Sequence, residues 1–141
     1  MSATEPEASR TTGERHRRFT RDTTQLAHIR RFVRTWFEER DVPRDTIDDF
    51  ELAVSELATN AIQHGAGDTI DVELTADGDG LCAVVAADSD HAGRIADAKT
   101  WQIAPPDAIS GRGLGIVAAV MDVVEFSADS GRTVFRCRRL S

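Results

Sequence analysis

Between residues 44 and 87 the apolar period of this chain changes from that of a helix to that of a strand, and this change limits what it can fold into. Ile47, Phe50, Val54, Leu57 and Ala61 are spaced 3, 4, 3 and 4 apart, one apolar stripe along four turns of helix. Gly65-Ala66-Gly67 follows and predicts a glycine C-cap. Ile70, Val72 and Leu74 then alternate with Asp71, Glu73 and Thr75, Asp77-Gly78-Asp79-Gly80 reads as a turn, and Leu81 to Ala87 is a second, more apolar strand. A one-striped helix beside a hairpin with one apolar face calls for two layers.

The flanking sequence extends this pattern. Residues 1–15 read as a polar, disordered tail, and Arg17 to Thr20 as a short first strand. Asp22-Thr23-Thr24 offers N-cap oxygens, and Leu26, Ile29, Val33 and Trp36 predict a helix to about Arg40, broken by Asp41-Val42-Pro43. From Asp88 to Ser110 the pattern dissolves, leaving at most a short helix near Arg94 to Trp101; a loop this long in a small domain usually carries function. A helix opened by Gly111-Arg112-Gly113 follows, with Leu114, Val117, Val120 and Met121 on it, then strands over Val123 to Ala128 and Arg132 to Arg138. The order β-α-α-β-β-loop-α-β-β predicts an α/β (α+β) two-layer sandwich over residues 16–141, with a mostly antiparallel mixed sheet and its helices on one face.

Composition excludes several chemistries. The 17 basic residues include one lysine, Lys99, and no glycine precedes it at phosphate-loop spacing, so neither a Walker loop nor the strand lysine of ordinary protein kinases is present. Cys82 and Cys137 stand far apart without neighbouring Cys or His, which reads as two buried free thiols rather than a zinc site or disulfide. Residues 41–80 carry one basic and eleven acidic groups, which argues against nucleic acid on that segment. No stretch approaches the ~20 apolar residues of a membrane span or forms a signal h-region, so a cytoplasmic, membrane-free protein is expected.

Three places can hold chemistry. Taking ~100° per residue, Glu56, Asn60 and His64 fall in one polar row along the border of the apolar stripe. With a carboxylate one turn before a carboxamide, the Glu can take a proton and the Asn oxygen can ligate a hard cation such as Mg²⁺, although a solvated helix rim gives the same pattern. Asp88, where the chain leaves the sheet, can accept a hydrogen bond from an exocyclic amine, or can simply be a turn residue. Gly111-Arg112-Gly113-Leu114-Gly115 opens a helix whose first N–H groups favour anions, with Arg112 adding charge; a flexible hinge reads equally well.

In order, Glu56-Leu57-Ala58-Thr59-Asn60-Ala61-Ile62-Gln63-His64-Gly65, Asp88, Gly111 to Val117 and Gly131-Arg132-Thr133-Val134-Phe135 resemble the histidine-kinase-like ATPases of the Bergerat (GHKL) fold. Within these, they are most similar to the small bacterial anti-sigma-factor serine/threonine kinases, over about residues 17 to 139. The resemblance implies ATP and Mg²⁺ as cofactors, Glu56 as general base, Asn60 as Mg²⁺ ligand and His64 near the phosphates. Asp88 would bind the adenine amino group, supported by Thr133, and Gly111, Arg112, Gly113, Leu114 and Gly115 would close over the triphosphate. It also implies a sigma factor and a STAS-type antagonist as protein partners, the antagonist being phosphorylated, and pairing of two copies of the chain. The family's glycines after the Asp are replaced, since Asp88-Ser89-Asp90-His91-Ala92-Gly93 carries Asp90 and Ala92 there. That departure keeps open an alternative, a non-catalytic module of the same fold that sequesters a partner.

Overall fold

The apolar stripes meet as expected in the computed structural model, which describes residues 12–88, 102–103, 112–129 and 131–140. In chain order these form β1 (Gly13–Thr20), a 3₁₀ turn (Thr23–Gln25), α1 (Leu26–Glu38), α2 (Arg44–His64), β2 (Ala66–Asp77), β3 (Gly80–Asp88), β4 (Gln102–Ile103), α3 (Arg112–Val120), β5 (Val123–Asp129) and β6 (Arg132–Leu140). The sheet runs β1-β2-β3-β6-β5-β4, and every pairing among the described residues is antiparallel, so the expected mixed sheet has no parallel pair here.

Each helix end has a local cause. Asp22 caps the 3₁₀ turn by accepting the Thr24 N–H at 3.0 Å. Two residues before the expected end at Arg40, α1 stops, and Asp41 takes a left-handed φ of 59°, which lets the Val42 N–H turn back to the Phe37 carbonyl at 3.1 Å. Pro43 then fixes the start of α2.

The core lies between helices and sheet. Ile29, Val33 and Phe37 of α1 and Ile47, Phe50, Val54 and Leu57 of α2 are fully or almost fully buried against Ile70, Val72 and Leu74 of β2. Phe37 and Phe50 pack against each other between the helices, their rings tilted by 48° and the centroids 4.9 Å apart. Full burial of such side chains contributes ~1.5–3 kcal/mol each. On the outer side Arg34 of α1 holds Asp48 at 2.7 Å and also pairs with Glu51 of α2.

Two elements differ from expectation. β1 begins at Gly13, inside the stretch expected as tail, and β4 adds a strand that no periodicity announces. Only Phe19 of β1 is buried, so this edge strand carries no alternating apolar signal. The short helix expected near Arg94 to Trp101 lies outside the described residues.

Candidate functional site

α2 carries the polar row into the core at an angle. Glu56 is half-buried, Asn60 is only 4% exposed, and His64, the last helical residue, is exposed. Asn60 is the one polar residue in the described core. Burying a carboxamide in an apolar core disfavours folding unless its polar atoms are satisfied. α3 packs alongside α2.

The end of α2 is locked to the end of β3 by glycine. Gly65 is the C-cap of α2 as the sequence predicts, in an extended rather than a left-handed conformation, with φ of −83° and ψ of 177°. Its reason is space: a Cβ there would stand 2.3 Å from the Ala61 carbonyl oxygen and 3.3 Å from both Ala87 Cβ and the Asp88 carbonyl. Gly67, at a φ of +77°, lies under the Asp88 carboxylate, and a Cβ would be 2.6 Å from Oδ2. Asn60, His64 and Asp88 are thereby brought to one corner of the molecule.

Arg21 braces that corner. Its guanidinium donates to the carbonyls of Ile62 at 2.6 Å and Gly67 at 2.7 Å, a cationic cap on the α2 C-terminus. Nothing in the local sequence marks this role, since the contacts span more than forty residues. The basic residues of β1 are thus followed by an internal brace.

Asp88 and Thr133 are not brought onto one face. Thr133 pairs with Ala87, which faces the helices, whereas Asp88 pairs with Arg132 and follows the alternation to the opposite side. There Arg132 donates to Asp71 at 2.5 Å and to Asp88 at 3.4 Å. Burial pushes the Asp71 carboxyl up, but hydrogen bonds from Arg18, Arg132 and His16 outweigh it and hold the group below the usual carboxylate range. Arg132 is a site-adjacent residue that sequence reasoning missed, and the Gly131-Arg132-Thr133 motif was its only local signal.

Arg112, Gly113, Leu114 and Gly115 open α3 as expected. Gly115 is half-buried, and a Cβ built there meets no atom within 4 Å. Gly111, Asp90 and Ala92 lie outside the described residues. Both cysteines are free, and burial raises Cys82 to about 11 and Cys137 further.

A two-layer sandwich with an antiparallel sheet, a Glu-x-x-x-Asn row on its long helix and a glycine-opened third helix beside it is the architecture of a histidine-kinase-like ATPase domain. The family pattern described as Histidine kinase-like ATPase domain matches residues 19–138, and the chain belongs to that family. Among solved structures it is similar to the RsbU and RsbW domains of Rv1364c from Mycobacterium tuberculosis, with a TM-score of 0.68 over 92% of this chain at 21% identity. The chain spans 32% of that one's length, and at this identity the likeness shows the fold. No curated protein matches the chain. Among the described residues, no helix is long and apolar enough to cross a membrane.

Proposed function

We propose that this chain binds MgATP at the corner formed by α2, α3 and the end of β3, and acts as an anti-sigma regulatory factor with serine/threonine protein kinase activity. The observation that carries this reading is Asn60: a carboxamide buried to 4% exposure in an otherwise apolar core, one turn beyond Glu56. Asn60 would be the protein's own oxygen ligand to Mg²⁺. The cation supplies charge neutralisation at the phosphates when bound.

The chain's own groups divide the remaining work. Glu56 accepts the proton of a Ser or Thr hydroxyl on the antagonist as that oxygen bonds to the γ-phosphorus and the bond to the β–γ bridging oxygen breaks, releasing ADP. Without a phosphate-loop lysine, the N–H groups at the start of α3, with Arg112, meet the phosphate charge. His64 borders the phosphate end, and Asp88 reaches the adenine amine after leaving Arg132. A sigma factor and a STAS-type antagonist are the partners that the family-like motifs support, and the fold shared with the RsbW-bearing mycobacterial protein agrees with them.

The experiment is transfer of γ-labelled phosphate from MgATP to a STAS-type antagonist. Label on a Ser or Thr of the antagonist, lost in Glu56→Gln and Asn60→Ala, is expected; no transfer by wild type overturns the kinase reading. The engagement of Asp88 by Arg132 favours a second reading, a module that captures its protein partner without nucleotide. Capture of a sigma factor unaffected by MgATP would establish that reading instead.

A further inference from the structure

β1 is an edge of the sheet: among the described residues it pairs with β2 and has no neighbour on its other side. The N–H and C=O groups of alternate residues therefore point outward from the ladder. Natural edges are blunted by proline, bulges, shortness or charge. β1 has no proline, is eight residues long, and keeps an unbroken register with β2 from Gly13↔Ala76 to Thr20↔Thr69, which leaves charge as its guard. That charge is mostly of one sign, Arg15, Arg17 and Arg18 against Glu14, in a chain whose net charge is −7.

The two faces of the strand use their basic residues differently. His16 and Arg18 turn away from the helices and reach Asp71 at 3.1 and 2.9 Å. Arg15 and Arg17 share the side of buried Phe19, toward α1, with the Arg17 guanidinium 4.9 Å from the Phe19 ring centroid. Between this side of β1 and α1 lies a hollow of about 320 Å³, lined by Arg15, Arg17, His28, Arg31 and the half-buried Phe32, with Glu39 as its one carboxylate. Glu39 is itself 3.5 Å from Arg40. Arg15, Arg17 and Arg31 are exposed and form no ion pair among the described residues.

We propose that this edge docks an extended, acidic segment of a partner protein, which adds to the six-stranded sheet beside β1 and sets alternate carboxylates against Arg15, Arg17 and Arg31. Main-chain hydrogen bonds to the outward groups of β1 supply affinity, and the inward side chains supply specificity. A compact anion cannot use a row of backbone groups, whereas an extended chain can. A second copy of β1 is the wrong occupant, because antiparallel pairing would bring arginine beside arginine, and like charges across a strand pair are destabilising. The same positive charge therefore rejects self-pairing and selects an acidic strand. Phe32 offers an apolar contact to an inward side chain between the carboxylates. None of Glu56, Asn60, His64 and Asp88 lines the hollow, so this docking and nucleotide binding are separate properties of the chain.

The test uses the full chain, without nucleotide, and a fluorescein-labelled peptide alternating Glu and Val, eight residues long to match β1. Fluorescence anisotropy is expected to show saturable binding that weakens as salt is raised. Arg17→Glu on the strand and Arg31→Glu on the helix wall are each expected to weaken it roughly tenfold or more, with circular dichroism checking that both variants are folded. A peptide alternating Lys and Val is expected not to bind. Hydrogen exchange followed by NMR separates edge pairing from attraction between surface charges, since alternate β1 amides are expected to exchange more slowly in the complex. No saturable binding by wild type, equal binding of the Lys peptide, unchanged affinity in a folded Arg31→Glu, or unaltered exchange along β1 would overturn the proposal.

Discussion

Gly115 lies near the start of α3, half-buried, with open space where a side chain would go: a Cβ there meets no atom within 4 Å. Its φ is not in the left-handed region, so alanine fits the backbone without strain. Gly115→Ala therefore raises the helix propensity of α3 and lowers the entropy of the unfolded chain, together ~0.5–1 kcal/mol of added stability. For a domain of this size that is a rise in Tm of roughly 2–5 °C. If the glycine is there to let a nucleotide approach the helix, the methyl group occupies that space, and MgATP affinity falls at least tenfold, ~1.4 kcal/mol. Thermal denaturation and titration calorimetry on one preparation read both quantities. Their movement in opposite directions separates a lost site from a damaged fold. An unchanged affinity in a stabilised variant would refute close approach at Gly115.

Three further outcomes follow from the described contacts. Arg132→Gln removes the partner of Asp88 and one of three partners of Asp71, so it is expected to cost about 1–2 kcal/mol of stability while raising ATP affinity a few-fold; weaker binding would show that Arg132 contacts the nucleotide instead. Because Asp71 titrates below its ordinary 3.8 in the fold, its contribution is complete above that value and is lost as pH falls through the folded pKa. Denaturant unfolding at a series of pH values should thus show Asp71→Asn markedly destabilised at pH 7 and the gap to wild type narrowing below about pH 4; a gap that widens in acid would contradict the assignment. With burial raising both thiols, Cys82 should alkylate slowly at pH 8 and Cys137 only on unfolding, read by mass spectrometry; rapid native labelling of Cys137 would contradict its place in the core.

Where a residue's environment is set by its near neighbours, the sequence told the fold well. The 3-4 spacing from Ile47 to Ala61 and the alternation from Ile70 to Leu74 place α2 and the β2–β3 hairpin because burial on one face needs those periods. β1 and β4 escaped, one because it is an edge strand with a single buried residue, the other because two residues carry no period. Gly65 shows the right residue at the right place for a different reason, since its requirement comes from β3 and from the carbonyl of Ala61 rather than from a left-handed turn. Of the site, Glu56 and Asn60 were legible as a row, because helix geometry relates them directly. The opposite sides taken by Asp88 and Thr133 depend on the β3–β6 register, and the brace at Arg21 and the bridge at Arg132 join segments more than forty residues apart.

Nucleotide recognition at α2 is tested most directly by titrating MgATP into the full chain and into Asn60→Ala, with matched circular dichroism. Saturable binding by wild type with about one nucleotide per chain, abolished in a folded Asn60→Ala, is the expected result. No heat of binding in wild type, or full binding by the variant, would contradict it.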